Sequence, residues 1–318
     1  MLIFPTYQTM LAKAAATSSG GGGSSIVDTD LYVHYDFSDT DCWNRTNGTN
    51  TDDYTIHNLA NDYNDGLLRS RTGTSNAYRN ASDSPVIDFV SSDGGGCLEF
   101  DPSNNDADDD DCVLLIPGSF SATWSDTHLT SNITTVAATD SNNLFNGIGT
   151  GAFTVEIWVK IYLNDSGNTY GTGQPVYLQG KTTGNSTFTK AVTSYEANYS
   201  TSDKQKKFDL FSTAGAEGYV PIAGAPSSGS GWSDWNHLVW SRNSTSTDDS
   251  KIYLNNSLQH TVTSGLDIDY MRYGYFSFVA TNTRMPIRYG AFRFYRGKAL
   301  TSSEVTTNWN AQKSRFGH

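Results

Sequence analysis

Apolar and polar residues alternate along many short segments of this chain, which is the pattern of β-strands with two different faces. Residues 31–38, LYVHYDFS, carry an apolar or aromatic side chain at every second position. The longest alternation runs over residues 153–163, FTVEIWVKIYL, with Glu156 and Trp158 opposite the aliphatic residues. Further segments of this kind are QPVYLQG, KKFDLFST, NHLVWSRN, SKIYLNNSLQ, YGYFSFVATN and IRYGAFRFYRG. Turn residues separate them, so the spacing predicts an all-β, two-sheet antiparallel sandwich.

The last twenty residues follow a different period. Thr301 and Glu304 form a T-x-x-E capping box, which marks a helix start, and Gly317 is suited to end the helix. We predict one C-terminal helix that begins at Ser302 and packs Trp309 against a sheet. The apolar residues that recur on one face of this helix are Val305, Trp309 and Phe316.

Composition and charge narrow the classes of partner. Aromatic residues make up 13% of the 318 residues, which favours sheets over helices. The formal net charge is -12 and no basic stripe offsets it, so the surface repels a phosphate backbone. No segment approaches the roughly 20 apolar residues of a membrane-spanning helix. We therefore expect no nucleic-acid partner and no insertion into a membrane.

Three cysteines are present, and their spacing matches no zinc or redox motif. Cys97 and Cys112 flank two short apolar runs, CLEF and CVLLIPG, which we predict to pair as a hairpin. Two interpretations stay open at this point: all three thiols, including that of Cys42, are free, or Cys97 and Cys112 form a disulfide.

The first 25 residues differ in character from the rest. A Gly/Ser linker occupies residues 17–25, and a short apolar segment precedes it. A secretory signal fits less well, because the only basic residue is Lys13 and polar residues interrupt the apolar ones. We interpret residues 1–25 as an assembly arm and linker, and residues 26–318 as the sandwich. The apolar residues of the arm are Leu2, Ile3, Phe4, Tyr7, Met10 and Leu11.

The order AFTVEIWVK, WNHLVWSRN, KIYLNNSLQ and RFYRGKALTSSEVTTNWNAQKSRFG resembles the concanavalin A-like lectin/glucanase superfamily in its laminin-G-like branch, over roughly residues 28–317. The resemblance implies a jelly-roll sandwich. With an arm ahead of it, this form is similar to modules in virion proteins of bacteriophages, especially marine ones. It implies a protein exposed on a virion surface, as a capsid decoration, fibre or tail appendage, with other virion proteins, further copies of itself and host glycans as partners.

Catalytic motifs are missing from the sequence. Retaining glucanases need two carboxyl groups about 5 Å apart, and those of this superfamily carry them on one strand. Here Glu156 is followed by Trp158 where a second carboxylate is needed, and none of the other glutamates, Glu99, Glu196, Glu217 and Glu304, lies in an E-x-D-x-x-E cluster. We predict a protein that is not an enzyme. A free carbohydrate-binding lectin module is the main alternative, and a polysaccharide hydrolase is a remote one.

Two acidic segments are candidate calcium sites, because clustered carboxylates attract a hard divalent cation. The alternative is an ordinary solvated loop or turn. The second candidate is the turn NLANDYNDG, with Asn61, Asp62, Asn64 and Asp65. The candidate ligands in the stronger segment, NNDADDDD, are Asp106, Asp108, Asp109, Asp110 and Asp111.

Tryptophans in or beside polar loops are candidate glycan-stacking residues, because a flat aromatic ring packs well on a sugar face. The alternative is that each plugs the sandwich core. The candidates are Trp43, Trp124, Trp232 and Trp235, whereas Trp158, Trp240 and Trp309 are assigned to the core or to the space between layers.

Overall fold

The computed structural model describes residues 25–43, 55–61, 65–72, 77–80, 87–100, 112–116, 151–163, 172–181, 195–199, 206–212, 215–226, 231–244, 249–262, 270–278 and 287–318. The apolar arm, the acidic residues 106–111 and Trp124 lie outside these ranges, so their roles stay predictions. Among the described residues, no helix has the length and apolar character needed to cross a membrane.

The described elements follow the chain in this order: β1 (Leu31–Asp36), β2 (Thr55–Ile56), β3 (Gly66–Thr72), β4 (Ala77–Asn80), β5 (Ile87–Val90), β6 (Cys97–Phe100), β7 (Cys112–Ile116), β8 (Phe153–Leu163), β9 (Thr172–Lys181), β10 (Tyr195–Tyr199), β11 (Lys206–Ser212), β12 (Gly215–Pro221), β13 (Gly231–Trp232), β14 (Asn236–Arg242), β15 (Ser250–Leu254), β16 (Ser257–Val262), β17 (Tyr270–Phe278), β18 (Ile287–Arg296) and α1 (Ser302–Gln312).

The strands form two antiparallel sheets. The first has the order β16-β15-β14-β8-β18-β6-β5, with β1 also pairing with β18 and β13 with β8. The second has the order β12-β11-β10-β9-β17-β7-β3-β2, with β4 on β3. This arrangement confirms the predicted two-sheet jelly-roll sandwich with one C-terminal helix.

The predicted hairpin between CLEF and CVLLIPG is wrong. Strand β6 lies in the first sheet beside β18 and β5, whereas β7 lies in the second sheet beside β17 and β3. Cys97 is a buried free thiol, as is Cys42, so no disulfide joins Cys97 to Cys112. Adjacent segments of a sandwich often cross between its sheets, and local sequence pattern does not distinguish that path from a hairpin.

Both faces of the first sheet are buried at its centre. On β8, Val155 and Ile157 face the interior of the sandwich, and Glu156 and Trp158 on the opposite face are equally inaccessible. The second face, which we call the outer face, is buried because α1 packs on it. The alternation in the sequence is therefore correct, but its polar half does not face solvent.

Helix α1 begins at Ser302 as predicted, with Thr301 as the N-cap and both hydrogen bonds of the capping box formed with Glu304. The Trp309 ring stacks on Trp158 at 5.2 Å between centroids and an interplanar angle of 12°. Phe316 stacks on the same Trp158 at 4.2 Å. These contacts confirm that the helix packs through Trp309 against a sheet.

Candidate functional site

The outer face of the first sheet continues past the end of α1, and there it carries aromatic and charged side chains that are partly exposed. On β8, Lys160 and Tyr162 lie two and four residues beyond Trp158 and therefore on the same face. The register places Arg288 of β18 opposite Lys160, and Trp232 of β13 opposite Tyr162. We call this group the surface cluster. Its members are Asp93, Glu99, Lys160, Tyr162, Trp232 and Arg288.

Arg288 lies at the centre of the surface cluster. Its guanidinium carbon is 4.1 Å from the centroid of the Trp232 ring, so the cation covers one face of the indole. Its Nε donates to Glu99 and its Nη1 donates to Asp93 at 2.6 Å. The Tyr162 ring meets Trp232 edge-on, at 5.4 Å and 75°. Two carboxylates and one aromatic ring therefore hold the guanidinium in a single orientation.

Asp93 ties the surface cluster to the core. Its Oδ1 accepts a hydrogen bond of 2.8 Å from the Trp235 indole, and its Oδ2 accepts one of 2.9 Å from Lys160. Partial burial alone would raise the pKa of Asp93, but the bonds from Trp235, Lys160 and Arg288 outweigh it and lower the pKa. The carboxylate therefore stays ionised at neutral pH.

A tight turn presents Asp93 to this site. The next residue, Gly94, has φ +56, and a Cβ at this position would lie 2.9 Å from the Phe316 ring. Only glycine fits both the backbone angle and the contact. Arg315 donates to the carbonyl oxygens of Gly94 and Gly96, so the end of the chain also holds the turn in place.

The structure separates the predicted glycan-stacking tryptophans. Trp43 and Trp235 are only 3% exposed, so their rings cannot meet a sugar and the prediction is wrong for both. Trp43 packs edge-on against Phe89, and Trp235 packs beside Phe316. Their neighbouring turns are polar in sequence, but the rings fold inwards beneath them. Trp232 belongs to the surface cluster and is half-buried.

A buried polar network that the sequence analysis missed lies beneath α1. The Oε1 atom of Glu156 is 2.7 Å from Arg293 Nη1 and 2.8 Å from His237 Nε2, and Oε2 accepts a bond of 2.6 Å from Asn308 of the helix. Burial alone would raise the pKa of Glu156, but the Arg293 charge and the hydrogen bonds hold it at about 2. The available signal was a single charged residue, Glu156, in the first seven residues of β8.

This network has no opening for a substrate. Glu156 is 1% exposed and both Arg293 and Asn308 are fully buried. Each oxygen of the carboxylate already has a partner, and the low pKa keeps the group ionised. The network therefore joins the helix to the sheet, and Glu156 is in no position to act on a saccharide.

The Asn/Asp-rich turn shows ordinary turn chemistry in its described part. Asn61 Oδ1 accepts from the Asn58 side chain, Asp65 Oδ1 accepts from the backbone N–H of Asn58, and Asp65 Oδ2 lies 3.2 Å from His57 Nδ1. These oxygens serve the fold of the turn. Within the described ranges, no three His, Cys, Asp or Glu side chains are placed to hold a metal ion.

No protein-family model and no curated protein matches the sequence. Solved structures with a similar arrangement of strands include Trypanosoma rangeli sialidase in complex with sialic acid, with 13% identity over 93% of this chain and 35% of that chain, at a TM-score of 0.49. The binding domain of Paraclostridial Mosquitocidal Protein 1 has 14% identity over 89% of this chain and 52% of that chain, at 0.46. The binding domain of botulinum neurotoxin DC in complex with rat synaptotagmin II has 9% identity over 90% and 52%, at 0.47.

This chain spans between 35% and 52% of the length of those three proteins. At such identities the likeness concerns the fold alone, and the ligands of those proteins say nothing about the ligand of this one. The fold and the site together define an all-β jelly-roll sandwich with an aromatic and charged cluster on its outer face.

Proposed function

We propose that the protein is a non-enzymatic, lectin-like binding module, and that the surface cluster contacts a saccharide. The observation that carries the proposal is the half-buried Trp232 on strand β13, in contact with both Arg288 and Tyr162. An aromatic ring beside fixed hydrogen-bonding groups is the usual composition of a small polar ligand site. Because strands place Trp232, Arg288 and Tyr162, little conformational entropy of these side chains is lost when a ligand binds.

The state of the carboxylates supports binding over hydrolysis. Glycoside hydrolysis needs one carboxyl group that carries a proton and a second that is ionised. Asp93 is held ionised, and Glu156 is inaccessible. Incubation with laminarin, agar-type and host envelope polysaccharides is expected to release no reducing ends. Release of reducing ends that disappears in Glu156→Gln would contradict the proposal.

Binding is tested with a glycan microarray followed by calorimetry on the strongest hit. Trp232→Ala is expected to weaken binding at least tenfold, because it removes both the stacking surface and the support of Arg288. The matched control is Tyr32→Ala, since Tyr32 is another half-buried ring with an arginine, Arg296, 5.2 Å from its centroid, away from the surface cluster. Equal losses in both variants, or none in Trp232→Ala, would refute the assignment of the site.

We further propose that the module is displayed on a virion surface, held there by residues 1–25 and by contacts with virion proteins and further copies of itself. The support is the sequence resemblance together with the fixed position of Val27, which follows the arm and linker in the sequence. The Val27 amide donates to Asn308 at 2.8 Å, and the Val27 carbonyl oxygen accepts from Tyr295 at 3.0 Å. These two bonds fix the position of Val27 beside α1.

Deletion of residues 1–16 tests the virion assignment. The truncated protein is expected to fold normally, because the sandwich begins after the deleted segment, and to lose assembly onto particles. Burying the apolar residues of the arm against a partner contributes roughly 25 cal/mol of binding free energy per Å² of apolar surface. Repeated copies on one particle strengthen the attachment through avidity. If the truncated protein still joins particles at full occupancy, the arm is not the tether and the free lectin module is the better assignment.

A further inference from the structure

We infer that the surface cluster selects an uncharged saccharide over an acidic one. The inference rests on the binding function proposed above and adds the class of ligand to it. Three features of the described residues carry it: the charge balance of the cluster, the partners already bound to its cations, and the hydrogen-bonding groups that remain.

The four charged groups of the surface cluster balance. Lys160 and Arg288 contribute two positive charges, and Asp93 and Glu99 contribute two negative ones. The pairs are in direct contact, with Lys160 Nζ 2.9 Å from Asp93 and Arg288 Nη1 2.6 Å from the same carboxylate. Arg288 Nε also meets Glu99. The site therefore presents no net charge to a ligand.

Each cation of the surface cluster is already paired with a carboxylate of the protein, so an acidic sugar would compete with Asp93 and Glu99 for it. Recognition of a carboxylate or sulfate usually relies on a guanidinium that offers two parallel N–H groups. Arg288 directs Nε to Glu99 and Nη1 to Asp93, so those two donors serve different protein carboxylates. A ligand carboxylate at Trp232 would also lie close to the Glu99 and Asp93 charges, which repel it.

The whole chain adds to this repulsion. Its formal net charge is -12, and a field of that sign lowers the local concentration of a polyanionic saccharide before contact. An uncharged saccharide is indifferent to the field. The long-range and short-range electrostatics therefore favour the same class of ligand.

An uncharged saccharide finds suitable groups in the cluster. The Lys160 ammonium has three N–H groups, and among the described residues it donates only to Asp93. Its other N–H groups can donate to a ligand. Glu99 accepts from Arg288 through Oε2, and no described residue donates to its Oε1. Sugar hydroxyls both donate and accept, so they match these two side chains, while the apolar face of the ring packs on Trp232.

The test compares probe pairs that share a sugar backbone and differ in charge: lactose with 3′-sialyllactose, and cellohexaose with the hexamer of β-1,4-linked glucuronic acid. Calorimetry is run on wild type, Trp232→Ala and the Tyr32→Ala control, with thermal melts to verify folding. We expect at least tenfold tighter binding of the uncharged member of a pair, lost in Trp232→Ala and within twofold of wild type in Tyr32→Ala. Binding of the uncharged probe should not change between 50 and 500 mM NaCl.

A charge variant sharpens the test. Glu99→Gln leaves Arg288 without one of its two carboxylates and changes the cluster from neutral to singly positive. The ratio between the affinities for the uncharged and the acidic probe should therefore decrease. Equal or tighter Trp232-dependent binding of the acidic member in wild type overturns the inference and leaves the binding function standing. If no probe in the set, or on the microarray, binds in a Trp232-dependent manner, both the inference and the proposed function fail.

Discussion

The buried network beneath α1 gives the sharpest prediction about stability. Glu156→Gln keeps the shape of the side chain but removes the carboxylate that contacts Arg293, which is fully buried. The guanidinium is then left without its counter-charge inside the protein. In the wild type, one carboxylate oxygen of Glu156 accepts from Asn308 and the other accepts from Arg293. Whichever way the glutamine amide is turned, its NH₂ group therefore faces another donor.

Two routes give a similar magnitude. Removing one partner of a buried ion pair typically costs about 3–5 kcal/mol. Independently, the pKa of Glu156 lies at about 2 instead of 4.5, and at 1.36 kcal/mol per unit this amounts to roughly 3 kcal/mol at neutral pH. Because the pKa is lower in the folded state, this stabilisation is present above pH 4.5 and is lost as the pH falls towards 2.

The assay is unfolding in urea, monitored by tryptophan fluorescence. At pH 7, Glu156→Gln should lower the free energy of unfolding by about 3–5 kcal/mol, and its stability should depend less on pH between 5 and 2 than that of wild type. The control is Glu304→Gln in the same layer of the fold, where glutamine can also complete the capping box, with an expected change below about 0.5 kcal/mol. A loss under about 1 kcal/mol in Glu156→Gln would show that the network does not join helix to sheet as argued.

Four further predictions follow from single features. Burial, with the Arg293 charge, lowers the pKa of His34 to about 3, so the free energy of unfolding should fall as the pH drops from about 6.5 towards 3. His34→Gln should therefore make the urea midpoint less dependent on pH between pH 7 and 5. The same pH dependence in the variant and the wild type would contradict this. Thr301→Ala should cost about 1 kcal/mol in thermal unfolding, since it removes the N-cap of α1; no change would mean that the cap is redundant. Burial raises the pKa of Cys42 and raises that of Cys97 to about 12, so a thiol reagent read by peptide mass spectrometry should label neither residue in the native protein and both in urea. If residues 106–111 bind calcium, a chelator should lower the melting temperature and added calcium restore it, whereas a melt indifferent to both indicates a solvated loop.

Local features of the sequence determined the elements. Alternation with a period of two located the strands that form the two sheets, including β8 and β14, because a strand with differing faces needs that period wherever it lies. The capping box placed the start of α1 at Ser302, since the bonds involved span only three residues. The same local logic assigned Trp158 and Trp240 to the core, and both are fully buried.

Tertiary structure decided which segments meet. The strands that begin at Cys97 and Cys112 belong to different sheets, although they are neighbours in sequence. Trp235 is buried beside Phe316, 81 positions along the chain, and Arg288 reaches Asp93 from a separation of 195 residues. A periodic pattern predicts which face of a strand or helix is buried, but not which segment covers that face. The choice depends on pairing and packing between distant segments, and for this reason the surface cluster and the network at Glu156 become visible only in the folded chain.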